Sequence, residues 1–255
     1  DLQPESADTL TAGLVWTPEL GDGGLSVTVD WWQIELEDAI GTYGVQFTLD
    51  ECYVNGDAAS CALITRRADA DYTIRDIIDT NVNVANQVGE GIDTEIRYDF
   101  DTSFGSFETA LLWSHLLDRN RTPYPGAPVE EMLGMHFLDT STEDGGTYAE
   151  DKFNVSVHWT LGDLKVGYLA EYIGPIDSIA KFQNTYVQSV DSQLYHDLVF
   201  DYSLDVVGDT MLTLGITNLS DEAPPYIDRA FNANTDPTTY RMFGRGYFFR
   251  ISQTF

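Results

Sequence analysis

Basic residues are scarce in this chain. Its 255 residues include 13 Lys and Arg against 42 Asp and Glu, a formal net charge of −29. That balance excludes nucleic acid as a partner, because phosphate contacts need clustered Lys and Arg. Acidity of this kind also supplies solubility and mutual repulsion, so it names no function alone. No run of 18 apolar residues occurs, which excludes a transmembrane helix but not a β-barrel, whose strands alternate and whose loops are polar. Catalytic signatures are missing: there is no G-x-S-x-G, H-E-x-x-H, glycine-rich phosphate loop or D-x-D-x-D-G calcium loop. The four histidines, His115, His136, His158 and His196, lie in separate segments. No enzyme activity, metal or cofactor is expected. Only two cysteines occur, Cys52 and Cys61, in a polar stretch with no partner His or Cys. Their spacing makes a poor zinc site. A disulfide pinning one loop is the preferred reading and requires an oxidising compartment; two unlinked thiols are the alternative.

What the chain does contain is alternation. In the last nine residues Tyr247, Phe249, Ile251 and Phe255 share one face, interrupted by Gln253, while Phe248, Arg250, Ser252 and Thr254 share the other. A strand apolar on one side and polar on the other suits a sheet between lipid and water. The same period recurs in Leu10–Trp16, Leu25–Trp31 and Phe107–Trp113. It is clearest where Ile92, Thr94, Ile96, Tyr98 and Phe100 oppose Asp93, Glu95, Arg97 and Asp99, an ionised face that must meet water. Further strands are predicted at Phe153–Trp159, Leu164–Tyr172, Leu194–Tyr202 and Leu212–Ile216. His158 falls on the water face beside Asn154 and Ser156.

These segments make nine strands, and their connections alternate in length. Links near 17–24, 101–105, 161–163 and 203–209 are short, whereas those near 37–79, 118–151, 174–192 and 219–243 are long. Short turns at one end and long loops at the other are the rhythm of an outer-membrane barrel. A β-sandwich has no reason to gather its long loops at one end. An odd number of antiparallel strands leaves both ends unpaired, and the chain opens abruptly at Asp1. The expectation is an all-β, antiparallel transmembrane β-barrel of which residues 1–255 form the carboxyl-terminal part.

Four segments resemble the TonB-dependent outer-membrane receptors. Asp1-Leu-Gln-Pro-Glu-Ser6 is similar to the family's N-P-x-L-x-P-E-x-S segment. Asn83–Glu95 resembles its N-x-G-x-x-x-x-G-x-E stretch, departing at Ile92-Asp93-Thr94. Gly215-Ile-Thr-Asn-Leu-Ser-Asp-Glu-Ala-Pro-Pro-Tyr226 resembles G-x-x-N-L-F-D-x-x-P-P, with Ser220 in place of Phe, and Gly244–Phe255 resembles the terminal strand. The resemblance implies a 22-stranded barrel in the bacterial outer membrane, with the plug domain, the TonB-contacting box and the remaining strands outside this chain. It implies outer-membrane lipid, the TonB complex, the barrel-assembly machinery and a small-molecule ligand as partners. Tyr247, Phe249, Ile251 and Phe255 would form the assembly signal. The function implied is active uptake of a scarce nutrient.

Ligand identity is expected in the long loops. Tyr124, Phe137, Phe182, Tyr186, Phe231 and Tyr240 offer aromatic faces among polar residues, suited to stacking on an oligosaccharide; interfacial or loop packing is the competing role. Arg121 and Arg229 are candidates for an anionic ferric-siderophore or other metal chelate. The shortage of basic residues favours the uncharged oligosaccharide. A passive porin-type channel and an outer-membrane protease barrel stand as alternatives.

Overall fold

Alternating apolar and polar residues leave each strand with one face that must be kept from water, and pairing such strands in register joins those faces into a band. The computed structural model describes residues 2–20, 23–68, 71–137, 146–178, 189–205, 208–227, 230 and 233–254. Nine long strands run through it: β1 Ser6–Trp16, β2 Gly23–Gly41, β3 Val82–Thr102, β4 Gly105–Thr122, β5 Asp151–Leu161, β6 Leu164–Ile173, β7 Gln193–Asp205, β8 Asp209–Thr217 and β9 Gly246–Thr254. Each pairs antiparallel with the next, β1 and β9 lying at the two ends of the sheet. Two-residue strands at Glu19–Leu20 and Glu130–Glu131 add to β2 and β4.

Register carries the apolar face unbroken across the sheet. Leu14 lies opposite Val29, Val29 opposite Thr94, Thr94 opposite Trp113, Trp113 opposite Phe153 and Phe153 opposite Tyr172. A second row joins Val27, Ile96, Leu111, Val155 and Ala170. At the far end Leu212, Leu214 and Ile216 face Ile251, Phe249 and Tyr247. Those last three side chains are 62%, 64% and 69% exposed, as expected of a face that meets lipid. The stretch from Ile92 to Phe100 is about 27 Å long at about 3.4 Å per residue. Tilted by about 40°, it spans about 20 Å of the membrane normal, near the usual apolar height of about 25 Å.

Aromatic rings border this band at both margins, where an amphipathic ring is most stable. At the short-turn margin Tyr98, Phe100 and Phe107 stack in series at 4.9 and 5.0 Å, and Trp159 Nε1 donates to the Phe104 carbonyl at 2.8 Å. At the opposite margin Phe153 stacks on Tyr172 at 4.6 Å. There Trp31 Nε1 donates to Glu90 at 2.8 Å and Trp113 Nε1 to Asp151 at 2.9 Å. The inner face carries Asp30, Asp93, Glu95, Arg97, Glu108, Asn154, Ser156 and His158, in register with one another. Phe255 lies outside the described residues.

Short and long links alternate as the sequence predicts, and all nine strands appear, but β2, β3 and β4 run further than their apolar alternation. They extend to Gly41, from Val82 and to Thr122, because backbone pairing continues after the membrane no longer demands an apolar face. The long links are not structureless. Residues 42–81 hold helices Val45–Asp50 and Ala58–Ala62, a π-helical turn Glu51–Asn55 and a hairpin pairing Ile64–Arg66 with Ile74–Ile77. A four-stranded sheet joins two other links: Gly146–Tyr148 and Met135–Phe137 from one, Ile176–Ser178 and Ser189–Val190 from the next. Each piece is too short to show a period of its own. No helix among the described residues is long and apolar enough to cross a membrane.

Candidate functional site

The long links gather at one margin of the sheet and form a layer with its own core. Ile173, Ile176, Val190, Tyr195, Ile227 and Tyr240 are buried together there. This cluster unites the ends of β6 and β7 with the links 174–192 and 218–245, so the latter folds onto the inner wall. Arg241 fastens it: Nε donates to Glu171 at 2.8 Å, Nη1 donates to Asp197 at 2.7 Å, and the guanidinium lies 5.1 Å over the Tyr195 ring. Asn218, buried with φ 51°, closes the base of the link. Its amide donates to the carbonyls of Glu222 and Phe243 at 2.8 and 3.2 Å, while its Oδ1 accepts from the Glu222 amide at 2.9 Å. The Asn-Leu-Ser-Asp segment is thus a loop clasp.

A buried polar seam joins this link to residues 123–150. Thr147 Oγ1 donates to Asp236 Oδ2 at 2.7 Å and so accepts from His136 Nδ1 at 2.9 Å. Asp236 also accepts from the Thr238 amide at 3.0 Å and the Thr239 hydroxyl at 2.8 Å. Burial opposes ionisation of Asp236, yet the hydroxyl bonds from Thr238, Thr147 and Thr239 hold its carboxyl below the usual range. Burial depresses the His136 imidazole, against the pull of the Asp236 charge. His136 Nε2 is buried without a partner among the described residues. Burial, reinforced by the Asp236 charge, pushes the Tyr240 phenol up.

The link 42–81 is held by a Cys52–Cys61 disulfide and by Asp57, whose Oδ2 accepts from the Ser60 amide at 2.7 Å to cap Ala58–Ala62. Arg66 lies over the Tyr53 ring at 5.5 Å. Tyr43, Phe47 and Tyr124 pack ring to ring, 4.8 Å apart between the first two and 4.6 Å between the last two. This contact ties the links 42–81 and 123–150 together.

Three of the candidate ligand residues, Tyr124, Tyr240 and Arg121, have described side chains, and they sit in different surroundings. Tyr124 is half-buried in the aromatic cluster just described. Tyr240, 2% exposed, belongs to the loop core. Arg121, 5% exposed, donates to Glu130 at 3.0 and 2.7 Å. The backbone of Phe137 lies in the four-stranded loop sheet, and its side chain is outside the described set. Phe182, Tyr186, Arg229 and Phe231 also lie outside the described residues. The His136–Thr147–Asp236 seam left no sequence signal, since Thr147 and Asp236 are 89 positions apart. Trp32 was missed too, although a swap of faces between Trp31 and Trp32 is legible in the sequence.

An antiparallel sheet with a lipid-facing apolar band, aromatic margins, a charged inner face and long loops at one end defines an outer-membrane β-barrel wall. The family described as TonB dependent receptor-like, beta-barrel, matches residues 1–219. The chain belongs to this family, which places it in the bacterial outer membrane. No curated protein matches it in sequence. Solved structures share the fold. A mutant of the ferric enterobactin receptor PfeA from Pseudomonas aeruginosa is 14% identical, with a TM-score of 0.59 over 98% of this chain and 31% of its own. The outer membrane transporter YddB from Escherichia coli is 12% identical, with a TM-score of 0.56 over 98% and 32%. The FrpB iron transporter from Neisseria meningitidis is 10% identical, with a TM-score of 0.55 over 97% and 31%. This chain thus spans about a third of the length of the receptors it resembles.

Proposed function

We propose that the chain is the carboxyl-terminal barrel wall and loop layer of a TonB-dependent receptor that actively takes up an uncharged oligosaccharide. In this reading residues 1–255 supply nine strands of a 22-stranded barrel. The plug, the remaining strands and the TonB-contacting segment complete the receptor, and the barrel-assembly machinery reads Tyr247, Phe249, Ile251 and Phe255. The observation that carries the ligand class is the state of five arginines in or beside the loop layer. Arg121 and Arg241 are paired with carboxylates, while Arg66, Arg119 and Arg245 hold neutral partners, a tyrosine ring, an amide and a backbone carbonyl. In a chain of net charge −29, an anionic chelate meets repulsion with few cations at hand. A neutral ligand meets aromatic faces and amide or hydroxyl groups, of which Tyr124, Phe137, Phe182, Tyr186 and Phe231 are proposed as contacts. Arg229 is the proposed cation should the ligand be a ferric chelate such as those of PfeA.

The test is uptake by cells bearing the full-length receptor, using labelled maltohexaose, cellohexaose, xylohexaose and chitohexaose beside a ferric catecholate. The expected result is uptake of at least one sugar that stops on adding a protonophore. Continued uptake without the energised inner membrane would identify a passive channel instead, and uptake of the chelate alone would reverse the ligand class.

A further inference from the structure

Faces exchange chemistry above the lipid band. Up to Trp31, β2 turns Leu25, Val27 and Val29 towards lipid and Thr28 and Asp30 inward; beyond it, Gln33 and Glu35 point outward while Trp32, Ile34 and Leu36 point inward. Opposite Trp32 and Ile34 on β3 stand Gly91 and Gly89. The indole lies down on that backbone, where a Cβ at Gly91 would come within 2.6 Å of the ring and one at Gly89 within 3.5 Å. Trp32, Ile34 and Leu36 floor a hollow of about 390 Å³, with Leu116 and Tyr148 on its sides. Gln87 and Arg119 form a polar edge: Arg119 Nη2 donates to Gln87 Oε1 at 3.0 Å, and its guanidinium lies 5.3 Å over the Tyr148 ring.

An inward apolar patch at this height has no membrane to face, and the core of the loop layer lies elsewhere, around Tyr195, Ile227 and Tyr240. One side of the hollow is Tyr148, from the 123–150 link, so it opens among the loops that a solute meets first. Its volume sits low in the range of about 300–1,000 Å³ for small-molecule sites, and its lining has their usual make-up, apolar and aromatic with a few polar groups. Below it the inner wall turns acidic at Asp30 and Asp93, paired directly across β2 and β3. Arg119 is one cation, held by the neutral Gln87 and Tyr148, against the two carboxylates below it, so a polyanion meets net repulsion there. A molecule with an apolar ring face and hydroxyls at its rim satisfies both the floor and the edge. We infer that this hollow is a stacking subsite for one unit of a neutral saccharide, with Trp32 as the platform and Gln87 and Arg119 as the polar contacts. The inference rests on the oligosaccharide reading above.

The experiment uses the purified full-length receptor and the four hexasaccharides named above, with titration calorimetry on wild type, Trp32→Ala and Trp32→Phe. Binding of one sugar is expected, weakened about tenfold by Trp32→Ala and only a few-fold by Trp32→Phe, since Phe keeps a smaller ring face for the sugar to stack on. On intact cells, Ile34→Cys should react with a membrane-impermeant maleimide and be protected by the bound sugar. A sugar held equally by wild type and Trp32→Ala would sink the subsite and leave the oligosaccharide reading standing. An unreactive Ile34→Cys would show that another part of the receptor fills the hollow, and would also overturn the subsite. Failure of the wild-type receptor to bind any of the four sugars overturns both.

Discussion

At His136 a titratable base is sealed into the seam between two loops. With Nδ1–H given to Thr147, protonation would place a second N–H, at Nε2, where no described group accepts it. Burial lowers the native pKa of His136 beneath the ordinary value, so near pH 6 the unfolded loop binds a proton that the folded loop refuses. Stability of the seam is therefore complete above about pH 6.5, falls as pH drops below it, and levels off beneath the depressed native value. Hydrogen exchange in the full-length receptor, corrected for intrinsic rates, should show residues 135–137, 146–148 and 235–240 losing protection between pH 7.5 and 5. His136→Gln should remove that dependence, and equal protection at both pH values would refute it. Arg121 shows a different lesson at this scale. It was legible as a loop cation, but no local pattern announced Glu130 as its partner or its burial.

For a strand, the decisive quantity is which face each residue takes. Val155 sits mid-band between Leu111 and Ala170, whereas its neighbour Ser156 faces the lumen beside His158. Val155→Arg should cost about 2–4 kcal/mol, as a cation does near the bilayer midplane, and should lower the yield of assembled receptor in heat-modifiability gels. Ser156→Arg, one position along, should assemble at close to the wild-type level. Similar losses from both would show that the faces have been assigned wrongly. This parity was readable from alternation alone because strand period is two and burial is one-sided. Strand ends above the membrane were not readable, since there pairing rather than lipid sets the boundary. The helices of residues 42–81 and the four-stranded loop sheet escaped notice because elements of two to six residues carry no period.

At the scale of the sheet, the outer edges of β1 and β9 have no neighbouring strand among the described residues. In lipid each unpaired backbone group costs several kcal/mol, which supports the proposal that further strands complete the barrel. The 255-residue chain refolded alone in detergent should therefore lack a compact, protease-resistant, heat-modifiable species. Refolding together with the further strands proposed above should recover one. A monodisperse, protease-resistant monomer from this chain alone would overturn the barrel-segment reading.

The sequence by itself determined the nine strands, their lipid and water faces, the alternation of short turns and long loops, and the cysteine pair, because each follows from a local period or spacing. Tertiary structure alone decided which long-range groups meet. Asp236 reaches Thr147, Arg241 reaches Glu171 and Asp197, and Trp32 lies on Gly91. Those contacts depend on cross-strand register and on how the loops fold back onto the wall, and neither is written in any single stretch of chain.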